Sequence, residues 1–289
     1  MNMSDHFVCV NGNIIKQKNA VIPAFHSGLF YGAGCFETFR VDYGDCFRFE
    51  EHISRLKRGL TYLGVPKQIM PDLAKLQSEI LELLAKNSLD SEIAKVRIQI
   101  SLNDTPGYGF DSDTELIKLI SCNRIEENQN LVRLKLSDIR TIPFQSRPAD
   151  LKLSNMLHYR AAFRDAQKSG FDDALMLNQR GFAAETSIAN IFWIAGDHIY
   201  TPSLRTDILP GIMRATLISI IKKIPQLTIT EGEFGVDAIK KADAVWITNS
   251  VKEISEVQCF EDIKFRKNHG IFDTLREGLI HLKNPKKKI

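Results

Sequence analysis

FDDALMLNQRGFAAETSIANIFWI, residues 171–194, decides how this chain is read. Two apolar arms, DALML and the returning run ending in NIFWI, flank the polar turn NQRG, which predicts a long β-hairpin. The returning arm carries one carboxylate, Glu185, between Ala183-Ala184 and Ser187-Ile188. An acid in a strand otherwise fit for burial either faces outward or serves something inside. Upstream, Lys152 sits among Leu151, Leu153, Met156 and Leu157 and is read as opening an amphipathic helix. A lysine is ordinarily a surface charge. These neighbours would desolvate its amine in part, and such an amine gives up its proton more readily.

Strands and helices alternate on both sides of this region. HFVCVNGNII (6–15) reads as a hairpin turning at Asn11-Gly12. CFETFRVDYGDCFRF (35–49) repeats the pattern with Tyr43-Gly44 near its turn. Helical spacing follows in 50–63 (Ile53, Leu56, Leu60, Leu63) and again in 71–84 (Leu73, Leu76, Ile80, Leu83, Leu84). Residues 94–102 and 115–121 read as strands on either side of the loop NDTPGYG. CNRIEENQN (122–130) is polar and aperiodic, so it is the expected linker between a small domain, 1–121, and a larger one, 131–289. In the larger part LVRLKLS (131–137), the segment near 198–201 and AVWITNS (244–250) read as strands. LPGIMRATLISIIKKI starts a helix at its proline-glycine turn. The expected class is α+β or mixed α/β.

Composition narrows the function. At 44% hydrophobic and 25% charged, with a net charge of +3, the 289-residue chain has neither a disordered composition nor a nucleic-acid footprint. Its visible basic cluster, Lys286–Lys288, reads as a solvated tail. Five scattered cysteines without a CxxC pair argue against a disulfide frame or a zinc site, and for reduced thiols in a cytoplasmic protein. The first residues lack a secretory signal pattern, and no apolar run approaches the length of a membrane span.

A buried acid and a partly desolvated amine are what a pyridoxal phosphate (PLP) enzyme must supply. The acid keeps the cofactor's ring nitrogen protonated and the amine holds its aldehyde as a Schiff base. The phosphate needs an anion site. Leu209-Pro210-Gly211-Ile212 runs straight into a helix, and Gly211 removes the side chain that would block close approach. Thr248-Asn249-Ser250 ends an apolar strand with hydroxyl and N–H donors, and Arg55 in HISRLKR offers a bidentate cation. Each of these three has an ordinary structural explanation as well.

Taken in order, six segments carry a resemblance: HSGLFYGAGCFETFR (26–40), EEHISRLKRGL (50–60), KLSN (152–155), AAETSIANIFWI (183–194), LPGIMRATL (209–217) and WITNSVKEI (246–254). The chain resembles the fold-type IV, or class IV aminotransferase, PLP enzymes. These include branched-chain aminotransferases, D-amino acid aminotransferases and 4-amino-4-deoxychorismate lyases. The resemblance implies a small N-terminal α+β domain and a larger barrel-like domain with PLP between them, in a homodimer whose partner closes part of the substrate pocket. It implies Lys152 as the Schiff-base lysine and Glu185 as the partner of the ring nitrogen. Phosphate contacts are implied from Arg55, from the backbone around Gly211, Ile212 and Met213, and from Ser250 with Thr248 and Asn249. Tyr31, Phe36 and Thr38 fall in the segment that lines the pocket.

Departures from the pattern bear on the substrate. The K-x-x-N spacing of Lys152 and Asn155 is that of lyase-type and D-amino acid-type members. Met156 stands where branched-chain enzymes have a tyrosine, and LNDTPGYG lacks an arginine for the substrate carboxylate. Arg97, on the preceding strand, is the candidate for that contact and equally fits a surface position. The expected activity is transfer of an amino group between an amino acid, branched-chain-like or similar, and a 2-oxo acid. The alternative is release of pyruvate and p-aminobenzoate from aminodeoxychorismate, and a non-catalytic interaction protein on the same fold is the remote one.

Overall fold

The computed structural model describes residues 6–107, 114–126, 131–265 and 270–283. The basic tail, Tyr108-Gly109 of the glycine loop and the end of the expected linker lie outside the described residues. The chain divides into two compact units, Met1–Glu127 with Leu151–Asn155, and Asn128–Asp150 with Met156–Ile289.

The first unit is an antiparallel sheet of order β2-β1-β5-β4-β3 carrying two helices. Its strands are β1 (Phe7–Val10), β2 (Asn13–Lys16), β3 (Gly34–Asp42), β4 (Ile93–Asn103) and β5 (Glu115–Arg124), and a short helix α1 (Ser27–Phe30) precedes β3. β1 and β2 form the hairpin expected at Asn11-Gly12, with both turn residues at positive φ. The helices α2 (Phe49–Tyr62) and α3 (Leu73–Lys86) bury their apolar stripes, Ile53, Leu56 and Leu60 on one and Leu76, Ile80 and Leu83 on the other. These pack with Phe39, Val41, Val96 and Ile98 into one core. Because strand side chains alternate, Cys35, Glu37, Phe39 and Val41 belong to the helix-covered face, and Phe36 and Thr38 to the other.

Two expectations in this unit give way. The second arm of the hairpin at 35–49 is absent, since only Asp45 bridges back to Asp42 before the chain turns into α2. The strand expected to end at Ser121 continues as β5 to Arg124, because Cys122, Asn123 and Arg124 keep their pairing with Val96, Lys95 and Ala94.

Unit two is built on a nine-stranded sheet of order β11-β10-β9-β12-β13-β6-β7-β8, with β14 on β13. The strands are β6 (Val132–Leu136), β7 (Asp173–Leu177), β8 (Ala183–Thr186), β9 (Asn190–Ala195), β10 (His198–Pro202), β11 (Thr228–Gly232), β12 (Ala244–Asn249), β13 (Glu253–Phe260) and β14 (Ile263–Lys264). The sheet curls so that β8 comes back beside β9 and β10. Helices α4 (Leu157–Lys168), α5 (Ile212–Ile221), α6 (Val236–Lys240) and α7 (Ile271–Lys283) complete the unit. Trp193, Val245 and Ile247 belong to one apolar cluster of this unit. The mixed α+β class expected from the sequence is the one observed.

The stretch at 171–194 is not one hairpin. β7 and β8 pair antiparallel around Asn178–Phe182, with Glu185 in the returning β8. The chain then turns at Thr186–Ala189 and β9 leaves to pair with β10 and β12. β8 and β9 are both buried almost throughout, the polar Thr186 and Ser187 at the turn are buried with them, and the residue exposed there, Ile188, is apolar, so hydropathy does not mark the point of departure.

Candidate active site

Lys152 does not open a helix. Residues 151–155 are extended along the start of β3: the Phe36 N–H donates to the Lys152 carbonyl at 3.0 Å and the Ser154 N–H to the Gly34 carbonyl at 2.8 Å. Cys35 and Leu153 form the bridge between them. The burial pattern explains the choice. Leu151 and Leu153 are buried and Lys152 and Ser154 are not, a period of two that a helix cannot satisfy. Gly34 makes the approach feasible, because a Cβ there would lie 3.0 Å from Ser154 Oγ on one side and 2.6 Å from the Ile100 carbonyl oxygen of β4 on the other. Helix α4 starts only at Leu157.

Pinned this way, Lys152 places Nζ 4.6 Å from the centre of the Phe36 ring. The Arg97 guanidinium lies 3.9 Å from the same centre. Arg97 is opposite Thr38 in the β3–β4 register and Gln99 is opposite Phe36, so all four share the face away from α2. Gln99 ties the group together. Its Oε1 accepts from Arg97 Nη2 at 2.8 Å, and its Nε2 donates to Ser154 Oγ at 2.7 Å. Arg97 has no carboxylate partner among the described residues, and burial pulls its guanidinium below the ordinary value. It is a partly desolvated cation beside an amine, and an anion is what such a position binds.

Arg55 is held differently. Its Nε and Nη2 donate to Glu37 at 2.7 and 2.8 Å, and His52 Nδ1 lies 2.7 Å from the same carboxylate. All three side chains are buried. Burial by itself pushes the Glu37 carboxyl up, but the charge and hydrogen bonds of Arg55, with those of His52, override it and hold it at about 2. Tyr31 is 44% exposed and stands in an apolar, exposed run with Val21, Ile22, Phe25, Leu29 and Phe30.

In the second unit Glu185 is 4% exposed and receives three named donors. Tyr159 Oη donates to Oε1 at 2.5 Å, Asn190 Nδ2 to Oε2 at 3.0 Å, and the Leu209 N–H to both oxygens at 3.2 Å. Asn190 Nδ2 also donates to the Leu209 carbonyl at 2.9 Å. These bonds lead directly to the turn before α5. There Gly211 is the N-cap and no side chain caps the helix, so the first N–H groups, those of Ile212 and Met213 among them, face outward from a helix start. A Cβ on Gly211 would lie 2.1 Å from Asn190 Oδ1, so only glycine fits. At the end of β12, Thr248 Oγ1 donates to the Glu253 carbonyl at 2.6 Å. Asn249 Oδ1 accepts from the N–H groups of Val251 and Lys252. Both side chains thus build the turn that presents Ser250.

Sequence reading missed Gln99, Ser154, Glu37, His52, Tyr159 and Asn190. Strand alternation through FETFR, facing a histidine and arginine three apart on α2, was a signal for the Glu37 cluster. For Tyr159 the only signal was its place on the buried stripe of α4 with Ala162 and Ala166.

Taken by itself, the second unit offers a buried carboxylate supplied with donors and an uncapped helix start with room only for glycine, which suit the ring nitrogen and phosphate of PLP, and the first unit offers an amine of the kind its aldehyde takes. Comparison with known proteins agrees. Residues 34–259 match the family described as amino-transferase class IV. An aminodeoxychorismate lyase of Bacillus subtilis is 32% identical over 272 residues, 91% of this chain and 89% of the lyase. A putative branched-chain-amino-acid aminotransferase of Methanocaldococcus jannaschii is 26% identical over 254 residues, 86% of each chain. Among solved structures, the branched-chain amino acid aminotransferase of Thermobaculum terrenum in its PLP form superposes with a TM-score of 0.85 at 19% identity, covering 99% of this chain and 96% of that one. The chain belongs to the class IV aminotransferase family. It is a PLP-dependent enzyme. No helix among the described residues is long and apolar enough to cross a membrane.

Proposed function

We propose that this enzyme transfers an amino group between an amino acid and a 2-oxo acid, with Lys152 as its Schiff-base residue. The observation that carries the reading is the pairing of Lys152 Nζ and the Arg97 guanidinium on one Phe36 ring. An amino-acid substrate brings an amine and a carboxylate a few ångströms apart, and this face offers a partner for each. When bound, PLP supplies an aldehyde that captures the amine and a ring that takes up electron density from the substrate's α-carbon. With the substrate amine in its place at the aldehyde carbon, Lys152 Nζ would be free to take the proton from the substrate's α-carbon and deliver it to that former aldehyde carbon, two atoms away. Arg97 holds the carboxylate, and Gln99 keeps Arg97 from swinging off the ring. Glu185, through donors that favour its anion, holds the proton on the ring nitrogen. Ile212, Met213 and Ser250 offer N–H and hydroxyl donors to the phosphate, and Arg55 adds charge.

The test is direct. Borohydride reduction of the PLP-loaded protein should fix the cofactor to the peptide containing Lys152, and Lys152→Ala should abolish the adduct. An adduct that survives in Lys152→Ala refutes the assignment. Mixing the loaded enzyme with an amino acid alone, without an oxo acid, should convert the aldehyde form of the cofactor to its amine form.

A second reading is favoured by the 32% identity to the Bacillus subtilis lyase. Here the same lysine serves elimination, and aminodeoxychorismate yields pyruvate and p-aminobenzoate. Formation of both products at a rate above that of any amino-acid half-reaction decides for it.

The proposal extends to assembly and compartment. Val21 (81% exposed), Phe25 (78%) and Leu29 (62%) are large apolar side chains left in water close together in sequence, and clustered exposed apolar surface marks an interaction site. It supports a homodimer in which a second copy covers this run. Sedimentation should give twice the chain mass, and Phe25→Asp should lower it. All five cysteines are free, which suits a reducing, cytoplasmic setting.

A further inference from the structure

Tyr159 belongs neither to the lysine motif nor to the strand that carries Glu185, yet it makes the shortest named contact to that carboxylate. Its place is fixed by packing. Helix α4 turns Tyr159, Ala162 and Ala166 onto Ala174 and Met176 of β7, and the two alanines allow the helix to lie close. The phenol is 7% exposed. Burial, reinforced by the negative charge of Glu185, pushes it well above the ordinary phenol value, so it keeps its proton and is the donor of the pair. Glu185 is the only hydrogen-bond partner of Tyr159 Oη among the described residues. Asn190 differs, since its amide also holds the Leu209 carbonyl and stays in place without Glu185.

We propose that Tyr159 is a positioning residue for Glu185, whose hydroxyl fixes one carboxylate oxygen so that the other is aimed at the ring nitrogen of PLP. This rests on Glu185 being the partner of that nitrogen. Three donors from three places meet on the carboxylate: α4 through Tyr159, β9 through Asn190 and the loop before α5 through the Leu209 N–H. Tyr159 holds Oε1, Asn190 holds Oε2 and the Leu209 N–H reaches both, and this sets the plane of the group. Neutral donors select the anion without neutralising it. Hydrogen bonds to a carboxylate favour its charged form, which is the form that pairs with a protonated ring nitrogen. Supporting groups behind a ligand-holding residue typically change affinity by about 10–100-fold when removed.

The test is a double-mutant cycle on PLP affinity, read by fluorescence titration of the apoprotein, with far-UV circular dichroism as the check on folding. Tyr159→Phe keeps the ring and loses only the hydroxyl. It is expected to weaken PLP binding about tenfold. In the Glu185→Gln background the same change should alter affinity less than twofold, because the hydroxyl acts through the carboxylate. Tyr159→Phe within twofold of the natural chain, or a tenfold loss that persists in Glu185→Gln, overturns the proposal. Glu185→Gln that binds PLP as tightly as the natural chain overturns instead the assignment of Glu185 on which it rests. Should Tyr159→Phe not fold, 3-fluorotyrosine at 159 keeps shape and hydroxyl while strengthening the donor. An affinity change of about threefold or more at an unchanged thermal midpoint then supports the proposal, and an equal affinity overturns it.

Discussion

Replacing Glu37 by glutamine should destabilise the first unit far more than any surface change. Glu37 is fully buried, and Arg55, at 5% exposure, has two of its nitrogens on the carboxylate. Glutamine keeps the volume but removes the charge, and it turns an N–H₂ toward the donors of Arg55 or His52. The guanidinium is left buried without its counter-ion. A carboxyl held at about 2 against an ordinary 4.5 corresponds to about 3 kcal/mol at neutral pH. Breaking a buried pair by removing one partner typically costs about 3–5 kcal/mol, which agrees. The sign in acid follows. The folded value lies below the unfolded one, so this stabilisation is complete above about 4.5 and is lost as pH falls toward about 2. Hydrogen exchange read over β3 and α2 gives the effect unit by unit. Glu37→Gln should raise exchange there about a hundredfold at pH 7, while β9 and β12 in the other unit keep their protection. The gap between the natural chain and the variant should close as pH falls from about 4.5 to 2. A change of less than threefold at pH 7 would refute the view that this ion pair holds α2 on β3.

Other perturbations test other parts of the site. Burial, followed by the nearby charge of Arg147, holds His158 at about 4. The unfolded chain therefore takes up this proton first, and stability should fall as pH drops from about 6.5 to 4. The ring is partly exposed, so the effect is discounted to about 1–2 kcal/mol, and His158→Asn should flatten that stretch of a urea-melt series. Gly211→Ala should weaken PLP binding at least about tenfold by titration, since its methyl displaces Asn190 Oδ1 from 2.1 Å and with it a donor to Glu185. Arg97→Gln should raise KM for the amino-acid substrate about tenfold or more while kcat falls less, as loss of a ground-state contact requires. An unchanged KM removes Arg97 from the substrate face.

How far the sequence was legible depends on where each residue's partner lies. The helices α2 and α3 could be read because their information is local: Leu56 and Leu60, or Ile80 and Leu83, declare a buried stripe by spacing alone. The hairpin at Asn11-Gly12 was legible for the same reason, two adjacent residues suited to positive φ. Lys152 was read onto a helix because its extended conformation is imposed from Gly34 and Phe36, well over a hundred residues earlier. A two-residue alternation at Leu151 and Leu153 is too short to outweigh the apolar residues that follow. The break between β8 and β9 was hidden because the exposed residue of the turn, Ile188, is itself apolar, so Ala183–Ile194 looked like one arm. Motif residues at the ends of elements were found, and the groups behind them, Gln99 and Tyr159, were not. Their roles lie in contacts that cross 55 and 26 residues of sequence.

Those supporting groups explain why the site's parts are not independent. Asn190 Nδ2 is shared between Glu185 and the Leu209 carbonyl, the Leu209 N–H returns to Glu185, and Asn190 Oδ1 occupies the space that Gly211 leaves open. The carboxylate and the start of α5 are therefore one cross-linked piece of the second unit. Gln99 does the same in the first unit, joining Arg97 to Ser154, two residues beyond Lys152. A shift of the lysine segment along β3 would carry the guanidinium with it. Each unit thus presents its groups as a rigid set and not as separate side chains, which is the preorganisation that lets a cofactor or a carboxylate bind without first ordering its partners. Substrate choice within the family can then change through the loops around such a set without disturbing the distances inside it.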